Sequence, residues 1–189
     1  MTREQWLIDA VNALKPVIKD RTGRDRPPTH VSVGFPSRGG TSTKKRTVGQ
    51  CWHATTSADN TAHVFVSPVL DDSFAVLATL VHELVHVLHP DAGHRGDFIK
   101  SAREMGLEKP WTATSAGENL EPVLTRLISD LGEFPHSKIT PGKGKLKPQT
   151  TRMKKLFAEE CGCTARTTQK YIEIGAFACP HGNEMEVSE

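Results

Sequence analysis

The chain has 189 residues, 37% of them hydrophobic, and a formal net charge of +2. That length suits one domain of about 130–150 residues with a small appendage, or two small domains, and 12 Pro with 15 Gly point to long connections. No apolar run approaches the ~18 residues of a membrane span, and the N-terminus lacks a signal peptide's unbroken apolar core, so the expectation is a soluble cytoplasmic protein.

Residues 2–19 place Leu7, Val11, Leu14 and Ile18 at helical spacing, and Thr2 with Gln5 resembles a capping box. An amphipathic helix is predicted there, with Pro16 expected to kink or end it. His30–Phe35 alternates as a short strand, and the polar, basic stretch Pro36–Lys45 reads as a loop. Thr47–Thr55 and Ala62–Ser67, on either side of the turn-forming group Ser57-Ala58-Asp59-Asn60, predict a hairpin. Cys51, Trp52 and His53 in its first strand are read as packing residues.

The run Phe74–Phe98, FAVLATLVHELVHVLHPDAGHRGDF, carries the chemistry. Asp71, Asp72 and Ser73 are cap residues ahead of an apolar helix that Pro90 ends. Between Phe74 and Leu88 the only polar side chains are Thr79, His82, Glu83 and His86, so the helix is expected to be buried nearly all round. Four residues advance a helix by about 400°, which puts His82 and His86 on one face with Cβ atoms about 6 Å apart. Two imidazoles so placed converge on one metal ion at roughly 2.0–2.1 Å, and Glu83 lies beside that face as a general base.

A catalytic zinc needs a third protein ligand and an open position. His89 shares the face of His82, but seven residues along a helix is about 10.5 Å, too far for one ion. His94 follows the Pro90 stop and a Gly-containing turn that brings the chain back, which favours it; Glu104, Glu108 and Glu118 would make a two-His, one-Glu site instead. A helix over about Asp97–Met105, closed by Gly106, and another over about Asn119–Leu131 are expected to follow, the latter covering the far side of the motif helix.

Residues 136–170 hold nine Lys or Arg against two Glu, a net +7, whereas residues 1–135 sum to −1 and residues 171–189 to −4. Positions 136–152 read as a basic Pro/Gly linker. Residues 153–189 are too few to fold on apolar burial alone. Cys161, Cys163, Cys179 and His181 supply three thiolates and an imidazole, a set suited to a structural zinc, with 15 residues between Cys163 and Cys179 for one hairpin. The basic charge over 138–170 predicts weak, salt-dependent, sequence-independent DNA binding.

The run HELVHVLHPDAGHRGDFIKSAREMGL resembles the SprT-like zinc metallopeptidase family, in which His-Glu-x-x-His is followed by a third His in an H-G-x-x-F-type element and a helix ending near Gly. His94 and Phe98 match in type and spacing, and Arg95 stands where that family usually has Gly. The resemblance implies zinc on His82, His86 and His94, with Glu83 catalytic. It implies an α+β, zincin-like peptidase domain over 1–135, a linker over 136–152 and a zinc-ribbon-like module over 153–189. The layout is similar to that of SprT-like proteins of actinobacteria and their phages. Spartan relatives degrade proteins on DNA, so DNA-associated proteins are the implied substrates. The expected activity is peptide hydrolysis by a zinc-activated water. Two alternatives remain open: a catalytically silent, zinc-stabilised nucleic-acid-binding protein, and a metal-dependent hydrolase of a non-peptide amide.

Overall fold

A computed structural model describes residues 1–141 and 153–188. The chain is mixed α and β, and it divides into two compact units, Met1–Lys143 and Gly144–Glu189. No helix among the described residues is long and apolar enough to cross a membrane.

The first unit opens with helix α1 (Arg3–Thr22), whose Thr2 hydroxyl accepts a hydrogen bond from the Gln5 N–H at 3.1 Å. Trp6, Leu7, Ala10, Val11, Leu14 and Ile18 are buried along one stripe. The helix does not end at Pro16, because the Pro16 ring lies on the solvent face while Leu14 and Ile18 hold the helix to the core on either side of it. The helix ends where Gly23 takes a φ of 69°.

Strands β1 (Thr29–Val33), β2 (Gly49–Trp52) and β3 (Ala62–Val66) form a sheet in the order β1-β3-β2. β2 and β3 are antiparallel, as a hairpin requires, though a short 3₁₀ turn (Ala54–Thr56) stands between them. β1 pairs with β3 in parallel, Val31 opposite Val64, so β2 is left at an edge.

Helix α2 (Ser73–Leu88) packs on this sheet through an apolar surface that includes Val76, Leu77, Leu80, Val81, Leu84 and Val85. Asp72 is its N-cap, accepting from the Ala75 N–H at 2.7 Å. Ser73 plays a different part from the capping role expected of it: its hydroxyl donates to Glu133 and accepts from the Phe134 N–H. Helix α3 (Asp97–Met105) closes at Gly106, whose φ is 88°. A small ladder of β4 (Leu107–Glu108) and β5 (Ser115–Ala116) then brackets the loop 109–114. Helix α4 (Glu121–Leu131) buries Leu124 and Leu127 against the core that α2 shares. The last described residues of this unit are tied down. His136 lies 3.0 Å from the Pro68 carbonyl, Ile139 donates its N–H to that carbonyl, and Lys138 pairs with Asp71 at 3.3 Å. The expected linker therefore does not begin at 136, and its residues 142–152, with Lys143, Lys145, Lys147 and Arg152, lie outside the described residues.

The second unit is built from β6 (Met153–Phe157), β7 (Thr164–Thr168), α5 (Gln169–Ile172), β8 (Phe177–Ala178) and β9 (Glu184–Val187). Its strands form one antiparallel sheet in the order β7-β6-β9-β8, two strands more than the single hairpin expected. The additional pairing matters because, among the described residues of this unit, only Leu156, Ala158, Cys179 and Met185 are buried, a core too small to hold ~35 residues by itself.

Candidate metal centre

Helix α2 presents His82 and His86 one turn apart, and the turn after Pro90 returns His94 between them. The His94 Nε2 atom lies 3.1 Å from His86 Nε2 and 3.3 Å from His82 Nε2. One ion held tetrahedrally at 2.0–2.1 Å sets its ligand nitrogens about 3.3 Å apart, so these donors fit a single small cation. Burial keeps the rings in the neutral form that ligation needs: it takes His82 down to about 4, helped by His94, and His86 down to about 3, helped by His82 and His94.

The return of His94 rests on Gly93 and Gly96, with φ of 53° and 49°; Gly96 supplies, one residue on, the freedom that Arg95 lacks. Phe98, fully buried at the start of α3, then stacks on His86 at 4.3 Å between centroids and meets His82 and His94 edge-on. His89 is turned away from this group and is buried against α3, its Nε2 2.9 Å from the Ser101 hydroxyl. Glu104, Glu108 and Glu118 are not part of the converging set.

Three contacts at the site come from chain segments that the motif does not name. The Thr114 hydroxyl lies 2.8 Å from His82 Nδ1, leaving Nε2 to face the other histidines. Gly49 on β2 sits against the Glu83 carboxylate so closely that a Cβ there would collide with Glu83 Oε1 and come within 2.8 Å of Thr79 Cγ2. Cys51, two residues on, has its Sγ 3.7 Å from His53 Nδ1. The sequence contains no signal for these three: each is a small or common residue in a polar stretch, placed by sheet register and loop closure.

Glu83 is 6% exposed, and burial pushes its carboxyl up to about 8. The same dry surroundings, with Glu83 beside it, push the Cys51 thiol up to about 12. All these groups line one cavity of about 770 Å³, walled by β2 on one side and the 112–114 loop on another, with Lys45 and Arg46 at its rim. Glu83 is the only acidic residue in that lining.

In the second unit Cys161, Cys163, Cys179 and His181 bring one donor atom each within 4.8 Å of all the others. Cys161 Sγ is 3.4 Å from Cys179 Sγ, Cys163 Sγ is 3.3 Å from His181 Nδ1, and all four cysteines of the chain are free. The turn that makes this knuckle is closed by the Ala158 N–H on the Cys163 carbonyl and by the Gly162 N–H on the Ala158 carbonyl. Ala158 is thus a buried packing residue, and the ligand position it would occupy in a C-x-x-C knuckle is met by Cys163. The Cys163 backbone N–H and the Asn183 side chain draw the Cys161 thiol down to about 6, while the hydrogen bond to Cys161 pushes Cys163 up to about 11.

Among the described residues there are thus two groups able to hold a metal ion, one in each unit. No protein-family model matches the chain, and no curated protein and no solved structure matches it either.

Proposed function

We propose that the first unit is a zinc-dependent endopeptidase of the SprT-like type, with its helices and sheet in a zincin-like arrangement. The observation that carries this reading is the convergence of His82, His86 and His94 through their Nε2 atoms, with Glu83 beside them in the same cavity. A bound zinc would lower the pKa of water and polarise a carbonyl. Glu83, buried beside the three histidines in the same cavity, takes a proton from the attacking water and hands it to the leaving amine. The edge of β2 borders the cavity, so an extended peptide pairs with it and lays its scissile bond across the histidines.

The test is Glu83→Gln. Metal content equal to wild type with turnover reduced by at least ~10³-fold is expected for loss of a general base acting on the water. A variant that cleaves peptides as fast as wild type would refute the reading, and so would a metal-dependent wild type that hydrolyses only non-peptide amides.

For the second unit we propose a structural zinc on Cys161, Cys163, Cys179 and His181. A nucleic-acid role for this unit is favoured by the register of β6 and β7, which sets Lys155 directly opposite Arg166. Like charges facing each other across a ladder are unfavourable unless an anion sits between them. Exposed Met153 and Phe157 share that face of β6. DNA-associated proteins would then be the substrates, and a chain that binds DNA but never cleaves protein would be a silent binding protein instead.

A further inference from the structure

Among the described residues of the first unit, the cations lining the cavity are Lys45 and Arg46, both exposed, and the Arg46 guanidinium already donates to the Ser42 carbonyl. The single tyrosine of the chain, Tyr171, belongs to the other unit. Thr114 is engaged by His82, and Gln50 is held by Ser37 through two hydrogen bonds of 2.8 Å. Strand β2 offers one further side chain. Alternation along it puts Gly49 and Cys51 on the face that meets Glu83, and the chain continues in extended form to His53, which also lines the cavity.

The orientation of the His53 ring follows from its neighbour. Cys51 Sγ lies 3.7 Å from His53 Nδ1, a contact in which the thiol, packed beside Glu83, can donate its proton to the ring nitrogen. Nδ1 then accepts, so the ring's own proton is on Nε2. The backbone is fixed as well: the His53 carbonyl accepts from the Thr56 N–H at 2.9 Å and from the Thr56 hydroxyl at 2.7 Å, anchoring the start of the 3₁₀ turn. An imidazole N–H is thereby placed at the wall of the cavity.

We infer that His53 is the oxyanion donor of this site, with Cys51 as the residue that sets its tautomer. The inference rests on the peptidase reading given above. As water oxygen bonds to the carbonyl carbon, one water proton passes to Glu83 and the C=O electron pair moves onto oxygen. The His53 Nε2–H donates a hydrogen bond to that oxygen. When the C–N bond breaks, the electron pair returns to the carbonyl and the amine takes the proton from Glu83. A donor aimed at charge present only in the transition state lowers the barrier without tightening substrate binding.

The experiment compares wild type, His53→Ala and His53→Gln with the best-cleaved peptide of a quenched-fluorescence library, with zinc content measured in parallel. His53→Ala is expected to lose about 10²–10³-fold in kcat with KM and zinc unchanged, and His53→Gln, which keeps an N–H, to recover part of it. Nitrogen NMR of the metal-free protein provides a reading independent of turnover: the His53 ring is expected in the Nε2–H form, with Cys51→Ala releasing it to a tautomer mixture. A kcat for His53→Ala within threefold of wild type, loss of zinc in step with activity, or an Nδ1–H ring would each overturn the role of His53 while leaving the peptidase reading standing. A zinc-loaded wild type that cleaves no member of the library would overturn both.

Discussion

The hydroxyl of Thr114 stands 2.8 Å from Nδ1 of His82, a residue 32 positions earlier in the chain. That contact fixes which nitrogen of His82 faces the other two histidines, and the β4–β5 ladder holds the loop that delivers it. Partners of this kind typically contribute 10–100-fold to metal affinity. Thr114→Val is therefore expected to weaken zinc binding by about that factor with little change in fold, whereas Thr114→Ser retains wild-type affinity. Competition with a fluorescent chelator measures both; equal affinity for Thr114→Val would show that the contact plays no part in orienting His82.

His94 and His89 separate ligation from packing. His94 is half-buried and His89 buried, but His94 points its Nε2 at His82 and His86 whereas His89 points its own at Ser101. His94→Ala is expected to lower bound zinc from two equivalents to one. His89→Ala should keep both and lose roughly 1–3 kcal/mol of stability, the usual cost of stranding a buried hydroxyl, here that of Ser101. Mass spectrometry under native conditions reads the zinc count, and denaturant titration reads the stability.

Gly49 is required by a close approach rather than by an unusual backbone angle. A methyl group there meets the Glu83 carboxylate and Thr79. Gly49→Ala is expected to cost about 1–3 kcal/mol from overpacking and to depress turnover by displacing the proposed base. Thermal denaturation together with peptide turnover checks this. Retention of both at wild-type levels would mean that β2 shifts freely, which would weaken the case for its edge as a peptide rest.

The metal-free first unit should show a specific dependence on pH. Folded Glu83 keeps its proton up to about 8, whereas the unfolded chain releases it near the ordinary 4.5. Between those values the folded state binds the extra proton, so this group's contribution to stability declines as pH rises. His82 and His86 act in the opposite sense: their folded values of about 4 and 3 lie below the ordinary 6.5, so stability declines as pH falls below 6.5. The stability of Glu83→Gln relative to wild type, both stripped with chelator, is expected to grow from pH 5 to pH 8. A flat difference across that range would place the folded Glu83 value near 4.5.

In the second unit, a four-residue core leaves folding dependent on the Cys/His group. Cys179→Ser, or chelation of the wild type, is expected to abolish amide protection over 153–188 while residues 1–141 remain protected. Hydrogen exchange followed by mass spectrometry resolves the two units; undiminished protection in the second would show that its sheet is sufficient alone.

Much of the site was written in local spacing. The period of Leu7, Val11, Leu14 and Ile18, the caps at Thr2 and Asp72, and the one-turn separation of His82 and His86 are properties of a single helix, which residues near one another in the chain decide. The same is true of the stop at Pro90 and of the helix from Asp97 to Gly106. Pro16 shows where local rules end, since the stripe that packs on the core carried the helix past it. The parallel pairing of β1 with β3, the placement of β2 at an edge, and the approach of Gly49, Cys51 and Thr114 to the histidines depended on segments distant in the chain. No period or motif encodes such contacts. They arise when the apolar faces of α1, α2 and the sheet close on one core and carry the intervening loops to fixed positions, and in this chain that closure decided the surroundings of His82 and Glu83.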